Sequence, residues 1–397
     1  MTKSKNYAIE GLRGWASVMV LLSHLVLTFW PAMHTGLVED VRSGIDLTIF
    51  NSPFSFIYSG SFSVALFFVM SGYVLTIKFA KTGDERVIRS LFIKRYFRLM
   101  PPVLISTLFA YTLMRSGWMN NATAPLSSWY RSLAHTTPDL HRAIFEGAWT
   151  SFVTPDFPSY NAPVWTMHVE FLGSLMCFAL SLLTQRMRLY GVVYVATILA
   201  LLTALQHDGP YFALFVVGNW LARVELPRIK PWHAAAMLAI GMWLGGYHDL
   251  STFHAPLRVL HFLAPNSTTP VICFSLAATI IFVAILQCES MSGFFSRFKS
   301  IGKLSFSLYL IHFPILLSMG GYAFSIARSH GMNYPISAAA TCAAIIVTSY
   351  IAARIFQHLV DEKSILLSEM VLRFASTATA TEADVDRDAS DEGRRAF

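Results

Sequence analysis

Few side chains in this sequence combine the power to move a proton or hold an anion with a setting that lipid should not tolerate. The run EGLRGWASVMVLLSHLVLTFW carries Arg13 and, eleven residues on, His24. APVWTMHVEFLGSLM carries His168 and Glu170, and IGKLSFSLYLIHFPIL carries Tyr309 and His312. An ionisable group inside a membrane span costs about 2.5–3.5 kcal/mol on insertion scales, so each needs a partner or a task. At about 1.5 Å of rise per residue, His24 lies roughly 16 Å deeper than Arg13. On the same count Glu170 lies roughly 10 Å below the opposite surface and His312 roughly 15 Å in from the side of Arg13. All three would reach one layer, where an imidazole can take a proton from a hydroxyl and a carboxylate can orient and steady the imidazolium that forms. Structural readings stand beside this one. A lone intramembrane histidine can simply bond across helices, His312 before Pro314 can cap carbonyls freed at a kink, and Tyr309 or Ser305 can act as packing glue. His168 reads as structural. Glu170 is harder to explain away, because an acid in a span must be protonated or paired.

A second signal is the basic stretch 78–98, read as a loop on the side of Arg13. Lys78, Lys81, Arg86 and Arg89 are explained by topology alone. Arg95 and Arg98 are three apart, hence on one helix face just before Pro101 and Pro102, and their planar forks suit a phosphate or pyrophosphate group. No Walker loop or dinucleotide fingerprint accompanies them, which argues against a hydrolysed triphosphate or a redox dinucleotide. In FSVALFFVMSGYVL, Gly72 is expected to serve close helix packing and Ser71 to offer a hydroxyl to a ligand. Nothing around Ser71 resembles a nucleophile elbow.

The elements that must position these groups follow from composition. Of 397 residues 54% are hydrophobic and 13% charged, against about 45–50% and about 25% in soluble proteins. The apolar residues fall into ten stretches: 14–32, 57–79, 99–117, 163–184, 189–206, 209–225, 231–247, 268–288, 302–323 and 335–357. Each approaches the roughly 20 residues that cross a hydrocarbon core. The expected fold is therefore an all-α, polytopic bundle of about ten transmembrane helices. Alternating the connections places 24 of the 30 Lys and Arg residues on one side, and the positive-inside rule makes that side, with both termini, cytoplasmic. The net charge of +7 then records topology and not a nucleic-acid partner. The N-terminal apolar run lacks a small-residue cleavage site before Phe29-Trp30-Pro31 and is read as a retained span. The four cysteines sit in or beside apolar stretches, so neither disulfides nor a cysteine metal site is expected. Residues 1–360 form the membrane domain; 361–397 form a polar cytoplasmic tail, too poor in apolar residues to fold from about 376. The long outer connections 33–56 and 118–162 are aromatic enough to fold over the bundle.

Taken together, Arg13-x10-His24, FFVMSG at 67–72, Arg95-x2-Arg98 before Pro101, VWTMHVEF at 164–171 and IGKLSFSLYLIH at 301–312 resemble acyltransferase family 3. These are integral-membrane enzymes that include surface-glycan O-acetylases. The likeness covers roughly residues 7–360. It implies an acyl-CoA donor, most often acetyl-CoA, entering from the cytoplasm, with Arg95 and Arg98 on its phosphates and Arg13 near the thioester path; Ser71 is counted with them as a contact to the donor. It also implies His24 as the catalytic group and Glu170 as the family's acid, although Met167 stands where leucine is usual and His168 adds an imidazole. Trp165, Tyr309 and His312 are assigned to the acceptor, a hydroxyl of a carbohydrate or other envelope or metabolite compound. The bacterial inner membrane is the location implied, and the sequence leaves monomer and homo-oligomer open. The rival class is a secondary transporter built on an intramembrane His/Glu site. It predicts two related halves with broken helices, and 189–357 offers no counterpart of 14–117.

Overall fold

A computed structural model describes residues 3–119, 121, 124–133, 136–205, 208–262 and 268–377, the side chains of 3–6 and 262 excepted. The expected absence of structure from about 376 falls almost wholly outside the described residues. All regular structure among them is helical. Ten helices have 15 residues or more: α1 Lys3–Phe29, α2 Gly60–Thr82, α3 Glu85–Arg115, α4 Thr166–Leu183, α5 Tyr190–Ala204, α6 Gly209–Arg223, α7 Pro231–Gly245, α8 Thr269–Gln287, α9 Lys299–Ser329 and α10 Tyr334–Phe356. Each predicted apolar stretch falls on one of them. The protein is thus a polytopic helical membrane protein, with seven helices among the described residues long and apolar enough to cross a bilayer. The other three, α5, α6 and α7, have 15 residues each, about 22 Å, against a hydrocarbon core of about 30 Å.

Contacts between distant segments define two ends of the bundle. At the basic end Lys299 lies over the Tyr7 ring, Gln185 Nε2 donates to the Gly83 carbonyl and Lys94 pairs with Glu369 at 2.9 Å. At the other end the Tyr58 hydroxyl donates to the Met33 carbonyl, the Thr252 amide to Asn51 and the Tyr334 hydroxyl to the Phe29 carbonyl. The 118–162 connection belongs to this second end and folds onto the bundle as expected from its aromatics. Tyr130 is fully buried and donates to the Leu317 carbonyl, and Asn161 is fully buried and donates to the Leu310 carbonyl.

The stretch 78–98 is not a loop. Only Gly83 and Asp84 interrupt the helices: Gly83 closes α2 in the left-handed conformation (φ +64°), and the Asp84 side chain caps α3 by accepting from the Arg86 amide. Pro101 and Pro102 then lie inside α3, well past its first turn. The α1–α9 crossing requires glycine, since a Cβ on Gly14 would stand 2.7 Å from the Gly302 nitrogen and one on Gly302 would meet the Glu10 carbonyl oxygen at 1.9 Å. Gly72 is a packing residue on the same ground: its Cβ would lie 2.2 Å from the Phe215 carbonyl oxygen of α6.

Candidate active site

At the basic half of the bundle α1, α2, α3, α4 and α9 enclose a cavity of about 180 Å³. Arg13, Ser71, Arg95, Arg98, Glu170 and Tyr309 all line it, so six of the nine residues singled out in the sequence meet there. Glu170 is the hub. One of its carboxylate oxygens accepts from the Ser71 hydroxyl at 2.9 Å and from the Arg95 guanidinium. Arg95 also donates to the Ser174 hydroxyl through Nε (2.9 Å) and to the Glu170 backbone carbonyl through Nη2 (3.2 Å), which leaves its Nη1 without a bonded partner among the described residues. Both ionic groups are largely buried, with 11% and 15% of their side chains exposed. A pair withdrawn from water in this way holds together only when such extra bonds satisfy it.

Arg98 is also paired. Its guanidinium meets Asp361 at 2.7 Å and the Ser364 hydroxyl at 2.7 Å. Both partners lie beyond the boundary at 360, in helical turns that continue α10. Asp361 and Ser364 were missed from sequence because the signal used there was polarity inside an apolar run, and they follow the last one. Arg13 differs from the other two guanidinium groups. Among the described residues it makes no hydrogen bond or ion pair, which leaves three cations against two carboxylates around the cavity. A guanidinium that lines a cavity and donates to no neighbour has its hydrogens available to an anionic ligand.

The two histidines stand apart from this cavity. His24 Nδ1 lies 2.9 Å from His312 Nε2, and the rings are nearly coplanar at 11°. Trp129 lies parallel to the His24 ring at 13°, and Phe313 meets it edge-on with centroids 5.0 Å apart. Trp129, from the short helix Ser128–Arg131 of the outer connection, was legible only as one aromatic among many. His312 is fully buried, and its Nδ1 lies 2.8 Å from the Leu308 carbonyl. Tyr309 sits between the two groups: it lines the cavity, and its ring centroid is 6.2 Å from that of His312.

Two expectations from spacing need correction. No hydrogen bond or ion pair joins His24 to Glu170 among the described residues. The depth count assumed that α4 starts at the membrane surface. The chain instead enters the bundle before α4 begins: Asn161 is bonded to the Leu310 carbonyl, and Thr166 is bonded to the Tyr309 hydroxyl at 2.9 Å. Glu170, one helical turn further on, therefore lies toward the basic end with Arg13 and not level with His24. The second correction concerns the kink. The carbonyl that Pro314 leaves without an intrahelical donor is that of Leu310, and Asn161 takes it, so His312 is not the cap. Of the remaining residues, Trp165 packs against Tyr211 of α6 at 5.6 Å and does not line the cavity. His168 packs against Phe212 of α6 in a T-shaped pair, with ring centroids 6.0 Å apart.

The sequence model of a family described as an acyltransferase domain matches residues 6–354. Acyltransferase R4 of the fungus Phoma sp. is 23% identical to this chain, over 93% of the chain and 96% of its own length. Acyltransferase clz18 of Cochliobolus lunatus is 22% identical over 80% and 84%, respectively. O-acetyltransferase PaAT-1 of Phomopsis amygdali is 24% identical over 79% and 72%. No solved structure matches the chain significantly.

Proposed function

The chain belongs to acyltransferase family 3 and is a multi-pass membrane acyltransferase, and from that premise we propose that it moves an acyl group, most often acetyl, from acyl-CoA to a hydroxyl, with His24 as general base. The observation that carries this reading is the cationic cavity. Three guanidinium groups converge on a space bounded by Tyr309, with the only hydrogen-bonded pair of intramembrane imidazoles among the described residues on the far side of that ring. In this scheme the charged part of the donor approaches from the basic end, which is the cytoplasmic one. A cavity of about 180 Å³ is smaller than the roughly 300–1,000 Å³ of drug-sized sites. It therefore takes the donor's phosphates and the start of the pantetheine arm, which reaches past Tyr309 toward His24, with the rest of the nucleotide outside.

Arg13, having no partner, is the first group to meet anionic charge. Arg95 and Arg98, held in place by Glu170 and Asp361, offer phosphates the donors those bonds leave over, Nη1 of Arg95 and Nη2 of Arg98. Glu170 thus acts by holding Arg95 and Ser71 in place and not as the partner of His24. The reaction balances without a further reagent: the acceptor O–H loses its proton to His24, its oxygen bonds the thioester carbonyl carbon, the C–S bond breaks, and the proton leaves with the thiolate as CoA–SH. The acceptor enters from the other end, beneath the 118–162 segment whose Trp129 covers His24. A carbohydrate or a hydroxylated metabolite fits this scheme; the name of PaAT-1 speaks for an O-linked acetyl product. The ten helices are taken as ten crossings with both termini cytoplasmic. Supporting this, the connections 185–189 and 224–230 contact the basic end through Gln185 and Ile229, and 246–252 contacts the opposite end through Gly246 and Thr252.

The test is calorimetric titration of the purified protein with acetyl-CoA, followed by release of CoA thiol by wild type and His24→Gln with a simple sugar such as glucose supplied as the hydroxyl acceptor. Saturable binding to both proteins with thiol release from wild type alone is expected. Folded protein that binds neither acetyl-CoA nor longer acyl-CoAs would overturn the donor assignment. Thiol release persisting in His24→Gln would overturn the base.

A further inference from the structure

We infer that His312 is the positioning residue that fixes His24 in the tautomer a base requires; this rests on the reading of His24 above. A carbonyl oxygen can only accept, so the 2.8 Å contact between His312 Nδ1 and the Leu308 carbonyl places the hydrogen of His312 on Nδ1. In a neutral imidazole the other nitrogen then holds a lone pair. His312 Nε2 therefore accepts, and the hydrogen in its 2.9 Å contact with His24 comes from His24 Nδ1. His24 Nε2 is left unprotonated, with its lone pair directed away from His312.

The opposite arrangement would need His312 as a cation, carrying hydrogens on both nitrogens. His312 is fully buried, and among the described residues no acidic side chain bonds to either ring. Burying an unpaired charge there would cost several kcal/mol. The ring plane is fixed as well as the hydrogen: Trp129 lies parallel to His24, and the edge of Phe313 closes another side. A nitrogen acceptor thus does here what a carboxylate does in the familiar serine-hydrolase triad, holding the tautomer while leaving the base uncharged before reaction. When His24 takes the acceptor's proton on Nε2, its Nδ1–H bond to His312 becomes charge-assisted and strengthens.

The deciding measurement is nitrogen NMR of the full chain, labelled with ¹⁵N-histidine in lipid nanodiscs, with the His24 signals identified by their loss in His24→Gln. Expected is a protonated Nδ1 and an unprotonated Nε2 on His24 in wild type; a protonated Nε2 would overturn the inference whatever the variants do. Kinetics give a second arm. His312→Gln keeps an acceptor where Nε2 stood, whereas His312→Asn keeps the contact to Leu308 and loses that acceptor. Thiol release from acetyl-CoA should stay within about tenfold of wild type in the glutamine variant. It should fall by about 100-fold or more in the asparagine variant, at the low end of what general-base catalysis contributes, with acetyl-CoA binding unchanged. Equal rates in the two folded variants would remove His312 from this role. An inactive His24→Gln beside indifferent His312 variants would sink this inference alone, while an active His24→Gln would sink the base assignment beneath it.

Discussion

Around the cavity, charge decides what each arginine is for. Arg95 and Arg98 are neutralised by Glu170 and Asp361, and Arg13 is not. A hydrogen bond to a charged group contributes about 1.5–3 kcal/mol, so Arg13→Gln should weaken acetyl-CoA binding roughly tenfold to a hundredfold. Its thermal midpoint should hold, because Arg13 has no hydrogen bond or ion pair to lose among the described residues. Glu170→Gln should behave the other way. It strands Arg95 without a counter-ion and should cost about 3 kcal/mol or more of stability, visible as a lower midpoint in ligand-free thermal scans. Equal destabilisation by the two variants would mean that Arg13 is as firmly paired as Arg95. At this scale the sequence was legible wherever a polar group stood inside an apolar run, as at His24, Glu170 and Tyr309. It was silent on Asp361, which stands outside any such run, and on Trp129, whose type is common at membrane boundaries.

Among the elements, α9 shows why a proline in a span is tolerated. Pro314 withdraws a donor from the Leu310 carbonyl, and the Asn161 side chain replaces it from the turn that leads into α4. The same bond sets the depth at which α4 begins, and hence the level of Glu170. Asn161→Ala should therefore destabilise the protein by about 1–3 kcal/mol, the usual cost of an unsatisfied buried group, and should lower thiol release as well. A variant with unchanged midpoint and unchanged rate would show that water or a shifted side chain serves Leu310 equally well. The helical period placed Arg95 and Arg98 on one face of a helix entering the stretch 99–117, and α3 does run through Pro101 and Pro102; its start as early as Glu85 was not readable, because the basic residues of 78–98 leave no apolar run. Proline is a breaker in water, but in lipid a helix has no irregular alternative that keeps its backbone bonded.

For the molecule as a whole, the end opposite the basic one carries a group of histidines away from the cavity, His254 buried and His34 and His248 partly so. Burial pushes His34 down to about 3, with His248 nearby adding to the effect, and pushes His248 and His254 each down to about 4. All three are neutral in the folded protein below the pH at which they charge in an unfolded chain, about 6.5. Between that value and about 4 the unfolded chain binds more protons, so stability falls as pH falls through this window. The thermal midpoint should drop between pH 7 and pH 5, and His248→Gln, which cannot titrate, should flatten the slope. A midpoint that climbs on acidification would contradict the burial of these groups.

The sequence by itself determined that this chain is a polytopic helical membrane protein and that its few intramembrane polar groups need partners. Both follow from transfer free energies, which act residue by residue and need no knowledge of neighbours. It also carried the family, through short motifs spread along the chain. Which polar groups meet was decided only by tertiary structure. Pairing depends on helix depth and rotation, and those are set by close crossings such as Gly14 on Gly302 and by Asn161 drawing the start of α4 into the bundle. That is why His24, expected beside Glu170, meets His312, and why Glu170 belongs to Arg95 and Ser71.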